Sequence, residues 1–223
     1  EDWANKVIKL HLERLMWETQ VWVDDKKVSL ADSLVVPHVY DLTEYLTPGN
    51  HRLTIRVNNF KKFDLGNWTH AYSGETQIIW NGIVGGIYLQ VLDKVFIENV
   101  QVYPDVENKS VDLKVTLCKR SAGDIETELK VSVPGKETKT TQVNINDDLQ
   151  EFDLRYPMGD NVKFWDEFTP DLYDLSVKVK AGKYIDRKTV RFGMRSFEDD
   201  GHCVKINGRP TFLRGTLECC IFP

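Results

Sequence analysis

Three pairs of neighbouring aspartates come closest to an acid–base arrangement in this sequence. They are Asp24-Asp25, Asp147-Asp148 and Asp199-Asp200. Acid–base catalysis by two carboxyl groups needs both side chains near one reacting atom, whereas neighbouring residues of a strand point to opposite faces. Each pair also lies among turn-forming residues, where aspartate is favoured for conformational reasons. We therefore interpret all three pairs as solvated turn residues.

Nucleophilic and metal-based chemistry find equally little support. The five histidines are scattered and none accompanies a nucleophile motif, so no Ser-His-Asp triad can be assigned. The four cysteines, Cys118, Cys203, Cys219 and Cys220, lack the spacing of a metal site, and the adjacent pair could chelate a metal only with distant ligands. We expect structural free thiols, no bound metal and no cofactor.

The elements that must position any site are mostly β-strands. Ile8, Leu10 and Leu12 alternate with polar residues, which is the two-residue period of a strand with one buried face. A hairpin is expected across the polar turn that begins at Asp24, and a strand follows the turn 47–50. The best helical candidate is the single turn 41–46, which Asp41 could cap. Further strands are expected near residues 87–92, 95–103, 111–118, 126–133, 138–145, 151–154, 172–180 and 184–192.

Composition excludes several classes of partner. The 223 residues carry a net charge of -5, with 28% charged residues of nearly balanced sign, so no basic field is available for a nucleic acid. No apolar run reaches the length of a membrane helix. The first residues carry neither Met nor a signal segment, so the sequence itself does not define the compartment.

Many short strands with frequent turns predict an all-β chain of stacked sheets. The chain before residue 98 has long loops, and the strands after it are shorter and evenly spaced, as in an immunoglobulin-like sandwich. We place domain boundaries near residues 98 and 193. The segment after residue 193 predicts a hairpin around Asn207-Gly208. A new apolar strand is expected at Thr211 to Leu213, and we favour partners for it that lie outside this sequence.

Four segments, taken in order, resemble glycoside hydrolase family 2, the family of β-galactosidases, β-glucuronidases and β-mannosidases. The first, VWVDDKKVSLADSLVVPHVYDLTEYLTPGNHRLTIRVNN, resembles the family's N-terminal sugar-binding jelly roll, and TQIIWNGIVGGIYLQV is similar to the block that closes it. In the third, NVKFWDEFTPDLYDLSVKV, the family's signature is carried by Trp165, Pro170, Leu172 and Tyr173. The fourth, FGMRSFEDDGHCVKINGRPTFLRG, resembles the passage into the first strand of the catalytic barrel.

This resemblance implies a galactose-binding-like jelly roll over 1–98, an immunoglobulin-like sandwich over 99–193, and a linker with the start of a truncated TIM barrel over 194–223. It also implies a parent enzyme that hydrolyses O-glycosidic bonds in a glycan substrate with two glutamates on a barrel beyond Pro223, so that the chain alone is inactive. An autonomous carbohydrate-binding sandwich is the alternative. A periplasmic or extracellular location follows only from the lifestyle of polysaccharide-degrading enzymes.

The same resemblance points to residues that would contact sugar at the mouth of the parent's site. A jelly-roll loop that reaches the barrel in the family corresponds to Ala31-Asp32-Ser33, where Asp32 could accept hydrogen bonds from hydroxyls. The other interpretation of Asp32 is a loop carboxylate in water. Trp80 and Asn81 offer an indole face and an amide, although Trp80 could equally belong to the core.

Trp68, on the long loop, is a third candidate for sugar contact. We expect three other tryptophans, Trp17, Trp22 and Trp165, to pack inside the sandwiches. The sequence departs from the family at the Asn-Gly turn, where it has Asp24-Asp25, and after Leu-Arg-Gly, where the His-Glu pair is absent. The jelly roll is also short, as if its first strands were absent, which would expose an unpaired edge.

Overall fold

The computed structural model describes residues 3–33, 36–62, 64–69, 72–75, 81–199 and 201–216. Within these ranges every regular element is a β-strand, and no helix is long and apolar enough to cross a membrane. The chain forms two compact units, one built around Glu1–Leu92 and the other from Asp93–Arg214. The expectation of an all-β chain with two sandwiches is confirmed.

The N-terminal unit contains eight of the strands, all paired antiparallel. They are β1 (Val7–Leu12), β2 (Leu15–Met16), β3 (Glu18–Val23), β4 (Lys26–Asp32), β5 (His38–Asp41), β6 (Leu53–Asn58), β7 (Gly82–Ile83) and β8 (Ile87–Leu92). One sheet has the order β5-β1-β8, a second has the order β4-β3-β6, and β2 pairs with β7. Leu10 and Leu12 of β1 share one core cluster with Val21 and Val23 of β3, so the two larger sheets stack.

The C-terminal unit contains ten strands. They are β9 (Val95–Asp105), β10 (Ser110–Lys119), β11 (Ile125–Ser132), β12 (Lys139–Ile145), β13 (Leu149–Pro157), β14 (Tyr173–Ala181), β15 (Tyr184–Phe192), β16 (Phe197–Asp199), β17 (Val204–Ile206) and β18 (Arg209–Pro210). The sheet β13-β10-β9 faces the sheet β12-β11-β14-β15 across one core. Three strands against four is the arrangement of an immunoglobulin-like sandwich.

Alternation explains why this unit closes around a dry core. Val111, Leu113, Val115 and Leu117 of β10 are all buried, because residues two apart on a strand share one face. β9 is one continuous strand across residue 98, and its first residues pack in the core of this unit.

The C-terminal hairpin is a clear sequence signal that the structure reproduces. Asn207 and Gly208 have φ values of 51° and 75°, which two-residue turns of the type I′ class require. Strands β17 and β18 pair across this turn, with Ile206 opposite Arg209. The strand expected at Thr211 to Leu213 does not form: residues 211–216 have no regular structure, and Phe212 is 84% exposed. The amide of Thr211 donates to the carbonyl of Val204 at 2.8 Å, but this single bond does not extend the strand into residues 212–216.

The tryptophans divide between core and surface. Trp17 is buried, as expected, but Trp22 and Trp165 are only half-buried, which corrects the prediction for both. Trp22 lies between the buried residues Val21 and Val23 and so points away from the core. Trp165 lies in a loop, where the guanidinium of Arg195 stands 4.5 Å from its ring centroid.

Contacts around Trp165 hold the hairpin β16–β18 to the sandwich. A Cβ added to Gly193 would lie 2.7 Å from the Cβ of Trp165, so only glycine permits this close approach. Asn207 donates from Nδ2 to the carbonyl of Trp165 at 3.0 Å and accepts at Oδ1 from the amide of Ser196 at 2.9 Å. Two segments whose sequences resemble family 2, one around Trp165 and one around Asn207, therefore meet at one junction.

Candidate functional site

The candidate site lies at one end of the sheet β4-β3-β6, where the ends of three neighbouring strands carry polar side chains. Glu18 begins β3, and it is directly opposite Asp32, the last residue of β4, and Asn58, the last residue of β6. We call Glu18, Asp32, Ser33, Asn58 and Lys62 the polar end of this sheet. Strand register brings these groups together although Glu18 and Asn58 are 40 residues apart in sequence.

Asp32 forms an ion pair with Lys62, from the segment that follows β6. The Nζ of Lys62 lies 2.5 Å from Oδ2 of Asp32, and the two side chains are 44% and 38% exposed. The hydrogen bond from Lys62 lowers the pKa of Asp32, and the same bond raises the pKa of Lys62. Asp32 is therefore ionised at neutral pH and acts as an acceptor, not as a proton donor.

Glu18 is the second carboxylate of the polar end. Its Oε1 accepts from Nη2 of Arg56 and from Nδ2 of Asn58, both at 3.3 Å. The oxygen of the Asn58 amide in turn accepts from the backbone amide of Phe60 at 3.0 Å. Glu18 is thus occupied in fixing the ends of β3 and β6, and Asp32 is the more exposed of the two carboxylates.

A buried polar network fixes the loop that carries Asp32 and Ser33. The backbone amide of Ser33 donates to Nε2 of His38 at 3.0 Å, and Nδ1 of His38 lies 2.5 Å from Oγ1 of Thr19. That hydroxyl also contacts the Tyr40 hydroxyl at 2.6 Å, and Tyr40 donates to the carbonyl of Thr19 at 2.9 Å. Burial lowers the pKa of His38, so the ring is neutral and can accept from Ser33.

Aromatic side chains support the lysine of the polar end. Trp17 is buried and lies 6.1 Å from Tyr72 between ring centroids, in a tilted arrangement. The Nζ of Lys62 is 5.9 Å from the centroid of the Trp17 ring, within the range of a cation–π contact. The position of the ammonium group is therefore set by both Asp32 and Trp17.

The other predicted sugar-contact residues are Asn81, Trp80 and Trp68. Asn81 is exposed and directly precedes β7, whereas Trp80 lies outside the described residues. Trp68 is 86% exposed on the loop between β6 and β7. Among the described residues, no hydrogen bond or ring contact joins Asn81 or Trp68 to the polar end. Of the predicted candidates that the structure describes, Asp32 and Ser33 belong to the polar end.

Sequence reasoning missed Thr19, His38 and Lys62. A signal for His38 existed, because a histidine between Pro37 and Val39 occupies a buried position of an alternating strand. Nothing in the sequence indicated that Lys62 pairs with Asp32, since the two lie 30 residues apart and meet only through the sheet.

The remaining candidates for chemistry are structural. Asp24 has φ of 53° in the turn between β3 and β4, where its carboxylate accepts from the amide of Arg52. Asp147 lies in a bend, and Asp148 follows it there. Of the cysteines, Cys118 is buried and Cys203 half-buried, while Cys219 and Cys220 lie outside the described residues. In the described ranges no three His, Cys, Asp or Glu side chains cluster as metal ligands would.

Comparison with protein families identifies one match. Residues 95–195 match the model of the family described as glycosyl hydrolases family 2. A β-galactosidase from Thermoanaerobacter pseudethanolicus is 27% identical over 233 residues, covering 100% of this chain and 31% of that protein. A putative β-glucuronidase from Formosa agariphila is 24% identical over 225 residues, covering 95% of this chain and 26% of that protein. The chain thus spans less than a third of the length of these relatives.

Solved structures show the same fold. A Bacteroides uniformis β-glucuronidase superposes with a TM-score of 0.79 at 17% identity, covering 96% of this chain and 27% of that one. A family 2 β-galacturonidase from Eisenbergiella tayi superposes with a TM-score of 0.78 at 18% identity, covering 92% of this chain and 36% of that one. Both solved structures therefore share the fold of this chain.

Proposed function

We propose that this chain, whose residues 95–195 match the model of glycosyl hydrolases family 2, belongs to that family and is the non-catalytic N-terminal part of an enzyme that hydrolyses O-glycosidic bonds. The relatives reported above carry the names β-galactosidase and β-glucuronidase and are more than three times as long as this chain. A glycan is the substrate class that these names support. The identity of the sugar depends on residues of a site rather than on a fold.

The chain by itself is proposed to be inactive. Retaining hydrolysis needs two carboxyl groups about 5 Å apart, one protonated and one ionised. In the polar end, Asp32 is held ionised by Lys62, and Glu18 is bonded to Arg56 and Asn58. Asp32 is therefore not available as a proton donor, and Glu18 is engaged in its two hydrogen bonds. The two catalytic glutamates are proposed to lie in a barrel that is not part of this sequence.

The domain assignment is part of the same proposal. Residues 1–98 form the jelly-roll sugar-binding-like domain, 99–193 the immunoglobulin-like sandwich, and 194–223 the linker and start of the catalytic barrel. The close packing of Trp165, Gly193 and Asn207 supports a linker that is anchored to the sandwich rather than flexible. An anchored linker would fix where the chain leaves towards the barrel.

The role proposed for the polar end is to contact sugar at the entrance of the parent's active site. The exposed ion pair of Asp32 and Lys62 is the observation that carries this assignment. A carboxylate accepts and an ammonium donates, so together they match a pair of sugar hydroxyls. The network around His38 fixes the loop in advance, which reduces the entropy lost on binding.

Two measurements test this function. First, the purified chain is incubated with aryl β-galactosides, β-glucuronides and β-mannosides, and we expect no turnover; measurable hydrolysis would refute the proposal. Second, the reading frame is sequenced beyond Pro223. A continuation with alternating strands and helices and two well-separated glutamates supports the proposal, and a stop codon at that point overturns it.

Calorimetric titration separates the alternative of an autonomous carbohydrate-binding module. We expect free galactose, glucuronic acid and mannose to give no heat of binding with the isolated chain, because the polar end supplies only one wall of a site. Firm binding of a monosaccharide would instead favour the autonomous module, for which the exposed Trp68 would be a natural stacking platform.

A further inference from the structure

Within the described residues, strand β8 forms an edge of the N-terminal unit. In the described part of the chain its one paired neighbour is β1. Alternate residues of an antiparallel edge strand direct their backbone N–H and C=O groups away from the sheet. Such an edge is a template for another strand, and proteins normally blunt it with charges, proline or a covering segment.

The sequence of β8 carries neither of the first two devices. Its six residues, Ile87 to Leu92, include no charge and no proline. By contrast, the edge strand β15 of the C-terminal unit carries Asp186, Arg187, Lys188 and Arg191. Among the described edge strands of four or more residues, the others each contain at least one charged residue, and these strands are β4, β5, β6, β9, β12, β13 and β15.

The core face of β8 is also uncovered. Register places Ile87 opposite Leu12 and Leu89 opposite Leu10, so these side chains share the face that is buried on β1. Leu10 and Leu12 are 1% and 0% exposed, whereas Leu89 and Ile87 are 40% and 55% exposed. The apolar face that is buried on β1 therefore continues onto β8, where it is exposed to solvent.

We propose that β8 is a docking site for a further β-strand, and that in solution the isolated chain supplies that strand as β8 of a second copy. The two strands run antiparallel about a twofold axis, which places the same surface of each copy against the other. An uncharged strand meets itself without like charges in opposition. Pairing satisfies the outward backbone groups and covers Ile87 and Leu89 with the partner's apolar row.

The area buried between the two β8 strands limits the affinity of the dimer. A single pair of six-residue strands buries less than the roughly 800 Å² per partner of a standard stable interface. The dimer is therefore weak and depends on concentration. This inference does not depend on the proposed glycosidase function, because it follows from the edge and the open core face alone.

Sedimentation equilibrium of the chain from about 1 μM to about 200 μM, the range in which interfaces of this size dissociate, tests the proposal. We expect the mass to rise towards twice that of the chain. Leu89→Lys places a charge in the apolar row and should weaken association at least tenfold. The matched control is Ile185→Lys on β15, a 52% exposed residue of an edge strand in the other unit, which should leave association unchanged.

Hydrogen exchange of the wild-type chain gives an independent test that needs no variant. Amides of residues 87–92 should become more protected as the concentration rises, and those of β15 should not. A chain that stays monomeric throughout the range overturns the proposal. So does a dimer whose formation leaves the exchange of β8 unchanged, since another surface would then be the interface.

Discussion

The ammonium group of Lys62 lies 2.5 Å from the carboxylate of Asp32 and joins the end of β4 to the segment after β6. The pair spans 30 residues of sequence. It gives Asp32 a fixed direction and a fixed charge, although both side chains remain partly exposed. An exposed pair of this kind adds little to stability, which is consistent with its proposed role of presenting a defined acceptor and donor to a sugar.

Replacing Lys62 by Met should raise the pKa of Asp32 back towards its ordinary value of 3.8, because the hydrogen bond from Lys62 is the largest cause of the lowered pKa. Carbon-detected NMR titration of the aspartate carboxyl groups measures this directly. Lys61→Met is the matched control, since Lys61 contacts Asp64 at 3.9 Å instead. An Asp32 titration that is the same in the wild type and in Lys62→Met would contradict the structure of the polar end.

Gly193→Ala should destabilise the C-terminal unit by about 1 to 3 kcal/mol, the usual cost of overpacking. The new Cβ would lie 2.7 Å from the Cβ of Trp165, which belongs to the base of the side chain and cannot rotate away. Chemical denaturation measures the change. Gly215→Ala is the control, because no described atom lies within 4 Å of its added Cβ. Equal stabilities for the two variants would show that the junction at Trp165 is loose.

Much of the fold follows from short-range signals in the sequence. The strand predicted over residues 184–192 has the bounds of β15, and its positions alternate between partly buried and exposed, as in a strand with one covered face. The hairpin at Asn207-Gly208 was equally predictable, because both residues tolerate the positive φ that the turn requires. These features depend on neighbours in sequence, which is why they needed no tertiary information.

The candidate site was only partly predictable, because its geometry depends on contacts between distant strands. Asp32 could be proposed, but its ion pair with Lys62 and the support of its loop by His38 arise from strand pairing. The half-burial of Trp165 has the same origin, since the Arg195 that stacks on its ring is 30 residues away. A segment such as Thr211 to Leu213 can have the pattern of a strand and still form none without a partner.

Lys119→Met should destabilise the chain by about 2 to 4 kcal/mol, because buried carbonyls that lose a charged donor remain unsatisfied. Lys119 is 3% exposed, and its Nζ donates to three backbone carbonyls, those of Gly123 at 2.7 Å, Ile145 at 3.1 Å and Asn146 at 3.0 Å. The free energy of unfolding from denaturant titration gives the measurement.

The control for this substitution lies on the same strand. Lys114 also belongs to β10, but it pairs with Glu151 at the surface, with 43% of its side chain exposed. Lys114→Met should change the free energy of unfolding by less than about 1 kcal/mol, as expected for an exposed ion pair. If the two substitutions cost the same, the carbonyls around Lys119 do not depend on its ammonium group.

His51 should make the stability of the N-terminal unit depend on pH. Its Nδ1 lies 2.9 Å from Oδ2 of Asp24, and this hydrogen bond raises the pKa of His51 above its ordinary 6.5. Asp24 has a lowered pKa, first because of its bond from the amide of Arg52 and then because of His51. The pair joins the turn after β3 to the segment before β6.

The directions of these two pKa shifts define the pH range in which the pair stabilises the fold. The contribution of His51 is fully present below its unfolded pKa, near 6.5, and is lost as the pH rises through its raised folded pKa. The contribution of Asp24 is present above its unfolded pKa, near 3.8, and is lost as the pH falls through its lowered folded pKa. The pair therefore stabilises the fold most between about pH 4 and pH 6.5.

The measurement must separate His51 from the buried His38, whose pKa is lowered by burial and whose effect on stability has the opposite sign in the same range. Thermal unfolding of the wild type and of His51→Gln is therefore compared at each pH from about 4 to about 9, around the ordinary histidine pKa. His38 is common to both proteins and cancels in the difference. We expect the wild type to have the higher melting temperature at pH 5 and the difference to shrink as His51 loses its proton. If the difference in melting temperature grew with pH, the hydrogen bond to Asp24 would not be raising the pKa of His51.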